Sequence, residues 1–462
     1  MLNSTSTSEF VKRLQLYPGQ RIAKLTREFG WVAAGQGLAM VGSLVGVKVL
    51  TGILPPAVYG QLALAMTIAM LVNQVVAGPI AQASLRFLSA ARETGAFRPY
   101  AKALRQLSIW LTFVIIFMGA SICVVLSLSR FNTWIFLAAA ASGYALVWAW
   151  NTVLDGLQNA ARHRSVVAWH QAASTWSRFL LAWVLLAAVG GSSSLAMLGY
   201  VFGAILVLLS QLWFFKLRFK EPLGVANLEG SGDSVHWRSV MLTYAWPFAC
   251  WGILTWFKIA SDRWALQLFS STDDVGIYTV LYQLGYAPVL LLTGMIVQFA
   301  APVFFGRAGS GLDPSKMRNV YLLNWRLTKY LLTGSLGVFA LIFGFRDAIF
   351  GILVDQAYHS GAWLLPFVVL ASSTFAVAQF ALISLLSETR SSTLLLPKVA
   401  TALLGGILNF VGAAWYGVAG VVGANVAFSL VYLFWIAGLV RLRMRNFAFE
   451  TGGRNSPQQV IP

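Results

Sequence analysis

The sequence predicts an all-α integral membrane protein with about 12 transmembrane helices, arranged as two six-helix bundles related as parallel repeats. Three observations predict it. Of 462 residues, 58% are hydrophobic and only 10% are charged, less than half the ~25% charged share of an average soluble domain. Apolar stretches long enough to span a bilayer, about 20 residues each, recur along the whole chain. Lys and Arg gather in alternate connections between those stretches, as the positive-inside rule requires of a multi-pass protein.

The apolar stretches fall near 30–53, 59–81, 107–129, 133–153, 168–189, 195–215, 241–261, 276–300, 327–350, 362–386, 394–414 and 418–440. The polar, basic start of the chain precedes a first stretch of full spanning length. No small-residue cleavage site follows it, so it reads as an uncleaved span. With the N-terminus placed inside, the cytoplasmic segments collect nearly all the basic residues. They include Lys12, Arg13, Arg21, Lys24 and Arg27 at the start, Arg86 to Arg105 after the second stretch, and Arg441, Arg443, Arg445 and Arg454 at the end. Only Arg130, Arg263 and Arg346 fall outside, and Lys48, Arg178, Lys258 and Lys329 fall within spans. The expected organisation is a cytoplasmic segment (1–29), a six-helix bundle (30–215), a cytoplasmic linker (216–240), a second bundle (241–440) and a cytoplasmic tail (441–462). The longest connections, 82–106, 216–240 and 301–326, are too short for a soluble domain. The net charge of +18 is spread through these blocks, which points to anionic membrane lipids and away from nucleic acid.

A repeat links the halves at an offset of about 216 residues. It sets Gly60 on Gly276, Gly78 on Gly294 and Gln82 on Gln298, and the basic triplet Lys216, Arg218, Lys220 has the spacing of Arg441, Arg443, Arg445. Two repeats of six spans share one orientation, a common transporter plan.

Signatures of enzymes are missing: there is no phosphate-binding glycine loop, and His163, His170, His236 and His359 lack metal-ligand spacing. Neither cofactor nor metal is expected, nor is a disulfide between Cys123 and Cys250, which both lie in apolar segments. External connections are short, which counts against a membrane polymerase or ligase of glycans. The charges within spans are the candidates, since each costs about 2.5–3.5 kcal/mol at a helix centre. Arg178 lies near mid-bilayer, as a cavity lining or in a structural ion pair or polar contact. Lys258 and Asp262 are four apart on one helix face, where they can pair, as a structural pair or as a substrate or coupling-ion site. Arg263 follows at the outer edge. Lys48 and Lys329 sit near span ends, within reach of the interface by snorkelling. Asp155, one turn after Asn151, sits at the inner end of its span and reads first as solvated interface. Cations outnumber acids in this set, which suits an anionic substrate such as a phosphate or pyrophosphate. Gly78, Pro79, Pro247, Pro288 and Pro366 interrupt spans where a transporter needs hinges, though each also fits a static kink.

Several motifs carry a resemblance. Val47-Lys48-Val49-Leu50 followed by Leu54-Pro55-Pro56-Ala57-Val58-Tyr59-Gly60, Leu157 to Arg164, Ser261-Asp262-Arg263 with Val275-Gly276-Ile277-Tyr278, and Tyr416-Gly417-Val418-Ala419-Gly420 with Gly423-Ala424 resemble, in order and spacing, the polysaccharide-transport flippases. That family belongs to the multidrug/oligosaccharidyl-lipid/polysaccharide exporter superfamily, and the resemblance runs from about residue 25 to 445. It implies a V-shaped pair of bundles working by alternating access in the bacterial inner membrane. It further implies transfer of polyprenyl-pyrophosphate-linked oligosaccharide to the external leaflet for O-antigen, capsule or exopolysaccharide, with a polymerase or export machinery as partner. Proton or sodium antiport drives some members, for which Asp262 and Asp155 are the carboxylates on offer. Cavity cations are a family theme, carried over here to Arg178, Lys258 and Arg263. Lys48 departs from it, because members often carry Arg there and Lys lacks the bidentate phosphate geometry. A small-molecule antiporter of the same superfamily is the alternative.

Overall fold

The structure is a computed structural model that describes residues 18–129, 131–218, 234–309, 313–388 and 395–453, with side chains over 30–129, 131–217, 236–309, 313–388 and 399–446. Arg130, the first 17 residues and most of the 216–240 linker lie outside the described residues. All described regular structure is helical. In chain order the helices are α1 (Pro18–Thr51), α2 (Pro56–Glu93), α3 (Phe97–Leu128), α4 (Asn132–Ala160), α5 (Arg164–Val189) and α6 (Ser193–Arg218), then α7 (Ser234–Phe269), α8 (Thr272–Ala308) and α9 (Pro314–Leu353). A 3₁₀ turn, Gln356–Leu364, leads into α10 (Leu365–Leu386). The last helical stretch, Leu395–Gly453, is two helices, α11 (395–415) and α12 (418–453), folded at Tyr416 and Gly417. Gly417 takes φ +55°, a conformation open to glycine at no Cβ cost, and beyond it Gly420 meets Gly412 main chain to main chain. Eleven stretches are long and apolar enough to cross a membrane. The final one holds this hairpin, so the described chain makes the expected twelve crossings as a multi-pass membrane protein.

Helices overrun the apolar windows. The 82–106 connection shrinks to a turn at Thr94–Ala96, because α2 runs to Glu93 and α3 starts at Phe97. Here the helical period continues beyond the apolar window as an amphipathic face. The 301–326 connection behaves likewise, with α9 starting on an Asp313 cap whose carboxylate accepts from the Ser315 and Lys316 amides. These connections, rich in Lys and Arg, define a basic end of the bundle; the turns α1–α2, α5–α6, α7–α8 and α9–α10 lie at the far end.

Two spans bend by the same device. In α2 a π turn, Asn73–Ala77, precedes Gly78-Pro79, and in α8 a π turn, Tyr282–Tyr286, precedes Ala287-Pro288. Proline lacks the N–H and crowds the carbonyl four residues back. Widening one turn, with Gly78 N–H donating to Asn73 O and Ala287 N–H to Tyr282 O, accommodates the ring. The bends are at different depths, after 17 α-helical residues in α2 and 10 in α8. The offset of 216 therefore aligns the starts of these helices but not their kinks. Pro247 lies within the continuous helix α7. Pro366 does not interrupt a span; it stands in the first turn of α10, where its missing N–H costs nothing.

The halves meet at the far end. Gly60 of α2 and Gly276 of α8 cross there so closely that a Cβ on either would strike the other helix's backbone, at the Thr272 or Pro56 carbonyl. Around this crossing one continuous apolar core joins both halves through Leu50, Leu54, Tyr59, Val275, Tyr278 and Tyr358. On one side the contact continues to the basic end, where Trp237 and Tyr244 of α7 pack edge-on against Phe87 and Tyr100 of α2 and α3. A Cβ on Gly30 or Gly37 of α1, or on Gly294 or Gly306 of α8, would meet nothing within 4 Å. The basic end of the C-terminal half has a separate core, built from Phe304, Tyr321, Phe380 and Ile436 among others. The halves are therefore packed together at the far end, around the Gly60–Gly276 crossing.

Candidate functional site

α7 carries most of the charge inside the C-terminal half. Lys258 lies 11 residues before the helix end at Phe269, and Arg178 lies 11 before the end of α5 at Val189. Both are therefore about 16 Å from the far end at 1.5 Å per residue, near the middle of a ~30 Å hydrocarbon layer. The side chains reach different places.

Lys258 enters a cavity of about 330 Å³ enclosed by α7, α8, α10, α11 and α12 and lined by Trp251, Thr255, Asp262, Tyr286, Phe375, Gln379, Asn425, Phe428 and Tyr432. Its ammonium lies 3.4 Å from the Phe375 ring centroid and 4.6 Å from that of Phe428, within range for cation–π attraction. Phe428 and Tyr432 stack on each other, as do Phe375 and Tyr432, so the charge faces an aromatic wall. The sequence-level pairing of Lys258 with Asp262 does not form. Asp262, 3% exposed, spends Oδ1 on the Arg263 backbone N–H at 2.7 Å and the Arg263 guanidinium at 3.1 Å, and Oδ2 on the Tyr278 hydroxyl at 2.7 Å. Tyr278 in turn accepts from Asn425. Lys258 has no ion-pair partner among the described residues.

Arg263 also departs from expectation. It lies inside α7 rather than at an outer edge, and it is 7% exposed. The apolar window ends at 261, but the helix continues to Phe269 because Asp262 neutralises the guanidinium, whose Nη1 also donates to the Ile259 carbonyl at 3.0 Å. Its Cζ sits 4.4 Å from the Tyr282 ring centroid, and Tyr282 stacks on Tyr286. Across the crossing, Arg178 lies 4.7 Å from the Phe179 ring and 5.7 Å from that of Tyr200. Its Nε is buried with no hydrogen-bond partner among the described residues. Tyr59, which donates to Gln283 at 2.9 Å, lies within the electrostatic reach of both Arg178 and Arg263. One arginine from each half thus converges on a belt of tyrosines beneath the far-end closure.

Lys48 and Asp155 lie apart from this belt. Lys48 is exposed at the far end of α1, 3.5 Å from the Val354 carbonyl. Beside it, Thr51 accepts from the Asp355 N–H and Tyr358 donates to the Leu54 carbonyl, so this corner straps α1 to the α9–α10 connection. Lys329 is exposed on α9. Asp155 is partly buried rather than fully solvated, and it accepts a 2.8 Å hydrogen bond from Gln211. Of the expected cations, the structure brings Arg178 and Arg263 to one belt and Lys258 to the adjoining cavity. The tyrosine belt and the Phe375–Phe428–Tyr432 wall were missed at the sequence level, although Tyr278, Tyr282 and Tyr286 repeat every fourth residue.

A family model described as "polysaccharide biosynthesis protein" matches residues 25–306. The chain belongs to this family. Among solved structures, an inward-facing multidrug resistance MATE family transporter of the MOP superfamily superposes with TM-score 0.64 at 13% identity, covering 89% of this chain and 95% of that one. An outward-facing MATE family transporter gives 0.55 at 14% identity, covering 91% and 97%. The lipid II flippase MurJ, in an inward closed conformation, gives 0.63 at 13% identity, covering 91% and 90%. No curated protein sequence matches significantly. This member of the polysaccharide biosynthesis family therefore has the fold of MOP superfamily transporters.

Proposed function

We propose that the protein is a flippase that carries polyprenyl-pyrophosphate-linked oligosaccharide from the cytoplasmic to the external leaflet by alternating access. In this reading it serves O-antigen, capsule or exopolysaccharide synthesis in a bacterial inner membrane, ahead of a polymerase or export machinery. The basic end, with both termini, is cytoplasmic. The observation that carries the reading is the state of Lys258: a cation without an acidic partner among the described residues, in a cavity walled by aromatic rings and beside an aspartate whose two oxygens are already engaged. Such a cavity favours an anion, and ring faces suit the apolar faces of sugars. A carrier of cationic drugs needs the opposite, a carboxylate free to meet its cargo. In this reading a lateral opening between the two bundles lets the polyprenyl tail stay in lipid while the charged head enters.

The mechanism follows from the contacts. In the form seen here, the Gly60–Gly276 crossing and the strap from Lys48 to Val354 and from Tyr358 to Leu54 hold the far end shut. A diphosphate entering from the basic end meets Lys258 and then the tyrosine belt with Arg178 and Arg263. Releasing the strap while closing the basic end exposes the same cations to the other side, with bending at the π turns before Pro79 and Pro288 and at Pro247. The test is translocation in sealed proteoliposomes bearing a sugar-labelled lipid-linked oligosaccharide, followed by lectin accessibility. Protein-dependent exchange that falls at least tenfold in Arg178→Ala supports the reading. No exchange under imposed proton or sodium gradients, with several glycans offered, overturns it.

A further inference from the structure

A second cavity, of about 210 Å³, lies toward the basic end of the N-terminal half, apart from Lys258. Its floor is α4, and its walls are α3 and α6, which both pack on α4 but make little contact with each other. Tyr100, Ala101 and Arg105 of α3, Trp150 and Leu157 of α4 and Leu212 of α6 are among its lining. Arg105 and Leu212 are exposed, so the cavity opens on the outer surface of the bundle. Its neutral polar side chains are satisfied within the protein. Tyr100 donates to the Ser84 carbonyl at 2.9 Å, Ser108 to the Leu104 carbonyl at 2.9 Å and Trp150 to Thr112 at 3.1 Å. Arg105 differs: it has neither an ion pair nor a hydrogen bond among the described residues, and none of the lining side chains is acidic.

The outer face of α3 changes character at this cavity. Arg98, Lys102 and Arg105 are exposed, and Ile109, Phe113 and Ile116, also exposed, continue the same line toward the far end. Residues three and four apart share a helix face, so cations stand above apolar side chains along one stripe. That order matches a phospholipid leaflet, with charged heads over hydrocarbon. An apolar cavity open to such a leaflet is filled by an acyl chain, and the guanidinium fork of Arg105 suits a phosphate. With no carboxylate in the lining to meet the ammonium of a zwitterionic head, charge complementarity favours a lipid with net negative charge.

We infer that the groove between α3, α4 and α6 binds one anionic phospholipid, its phosphate on Arg105 and an acyl chain in the cavity. This lipid is held rather than carried, so the inference stands or falls separately from the flippase reading. Tyr100, on the groove wall, also packs edge-on against Trp237 of α7 with ring centroids 5.8 Å apart, which sets the lipid behind the contact between the halves at the basic end. The full chain, purified in detergent, is titrated with phosphatidylglycerol and separately with phosphatidylcholine of the same chains, and bound lipids are counted by native mass spectrometry. The first phosphatidylglycerol is expected to bind at least tenfold more tightly than phosphatidylcholine. Arg105→Gln should remove most of that preference, whereas Arg318→Gln, which deletes one exposed charge at the basic end of the other half, should keep it. Ala101→Phe fills the cavity while retaining Arg105, and should weaken the first binding step for both lipids. Equal binding of the two lipids, equal losses in Arg105→Gln and Arg318→Gln, wild-type binding by Ala101→Phe, or displacement of phosphatidylglycerol by equimolar polyprenyl phosphate overturns the inference.

Discussion

Gly60 and Gly276 pack main chain to main chain where α2 crosses α8, each occupying the space that a Cβ on the other's helix would need. They are also the pair that the repeat offset aligns in the sequence, so the far-end closure is built from equivalent points of the two halves. Its tightness depends on two missing methyl groups. Gly60→Ala should therefore push the helices apart and lower stability by about 1–3 kcal/mol, the usual range for overpacking a tight contact. Thermal unfolding of purified protein reads this directly. A melting temperature equal to wild type would mean that the crossing yields freely and does not close the far end.

Asp262 and Arg263 form a buried ion pair in which neither charge has water to fall back on. Removing one partner of such a pair costs about 3–5 kcal/mol, whereas replacing both with apolar groups is often near neutral. Asp262→Ala should thus be the most destabilising change in the C-terminal half, and Asp262→Ala with Arg263→Met should recover much of the loss. A double-mutant cycle by chemical or thermal unfolding checks the sign. If the double variant is the sum of the singles, the pair is not acting as a unit.

Much of this architecture was legible in the sequence because a bilayer imposes length and charge rules that a soluble fold lacks. Twelve apolar windows and the alternation of Lys and Arg yielded the crossings, and the mid-span depths of Arg178 and Lys258 singled them out. Helix ends were not legible where amphipathic turns extend a span, as at Glu93, Phe97 and Phe269. Nor was the inward face of an all-apolar helix, since hydropathy varies little around it. For that reason the tyrosine belt at Tyr59 and Tyr282 and the wall of Phe375, Phe428 and Tyr432 emerged only from packing. The Lys258–Asp262 pairing failed for a related reason. Spacing placed both on one face, but the rotamer of Asp262 is decided by Tyr278 on a neighbouring helix.

The far-end strap should set the balance between closed and open forms. Tyr358 donates to the Leu54 carbonyl at 2.6 Å from a fully buried position, and Tyr358→Phe leaves that acceptor unpaired at a cost of about 1–3 kcal/mol. A bias of ~1.4 kcal/mol shifts a two-state ratio about tenfold. Spin labels on the exposed positions Gly52 and Gln356, with Cys123 and Cys250 replaced, should report a larger population of long distances in Tyr358→Phe. An unchanged distance distribution would remove the strap from the gating scheme.

Lys258 offers the sharpest separation of fold from function. Because its ammonium rests on rings and has no carboxylate partner among the described residues, Lys258→Met orphans no buried charge. It removes a desolvated cation and fills similar volume, so unfolding should occur at the wild-type temperature or above it. Translocation of a pyrophosphate-linked glycan should fall at least tenfold, because the cavity then presents no fixed positive charge to the anion. Lys258→Arg should retain part of the activity, since charge survives while the planar head fits the space beside Phe375 differently. Transport and melting are measured on the same preparations. Full transport by a well-folded Lys258→Met would show that the aromatic cavity binds by shape alone, and the anionic head would then have to be met by Arg178 and Arg263.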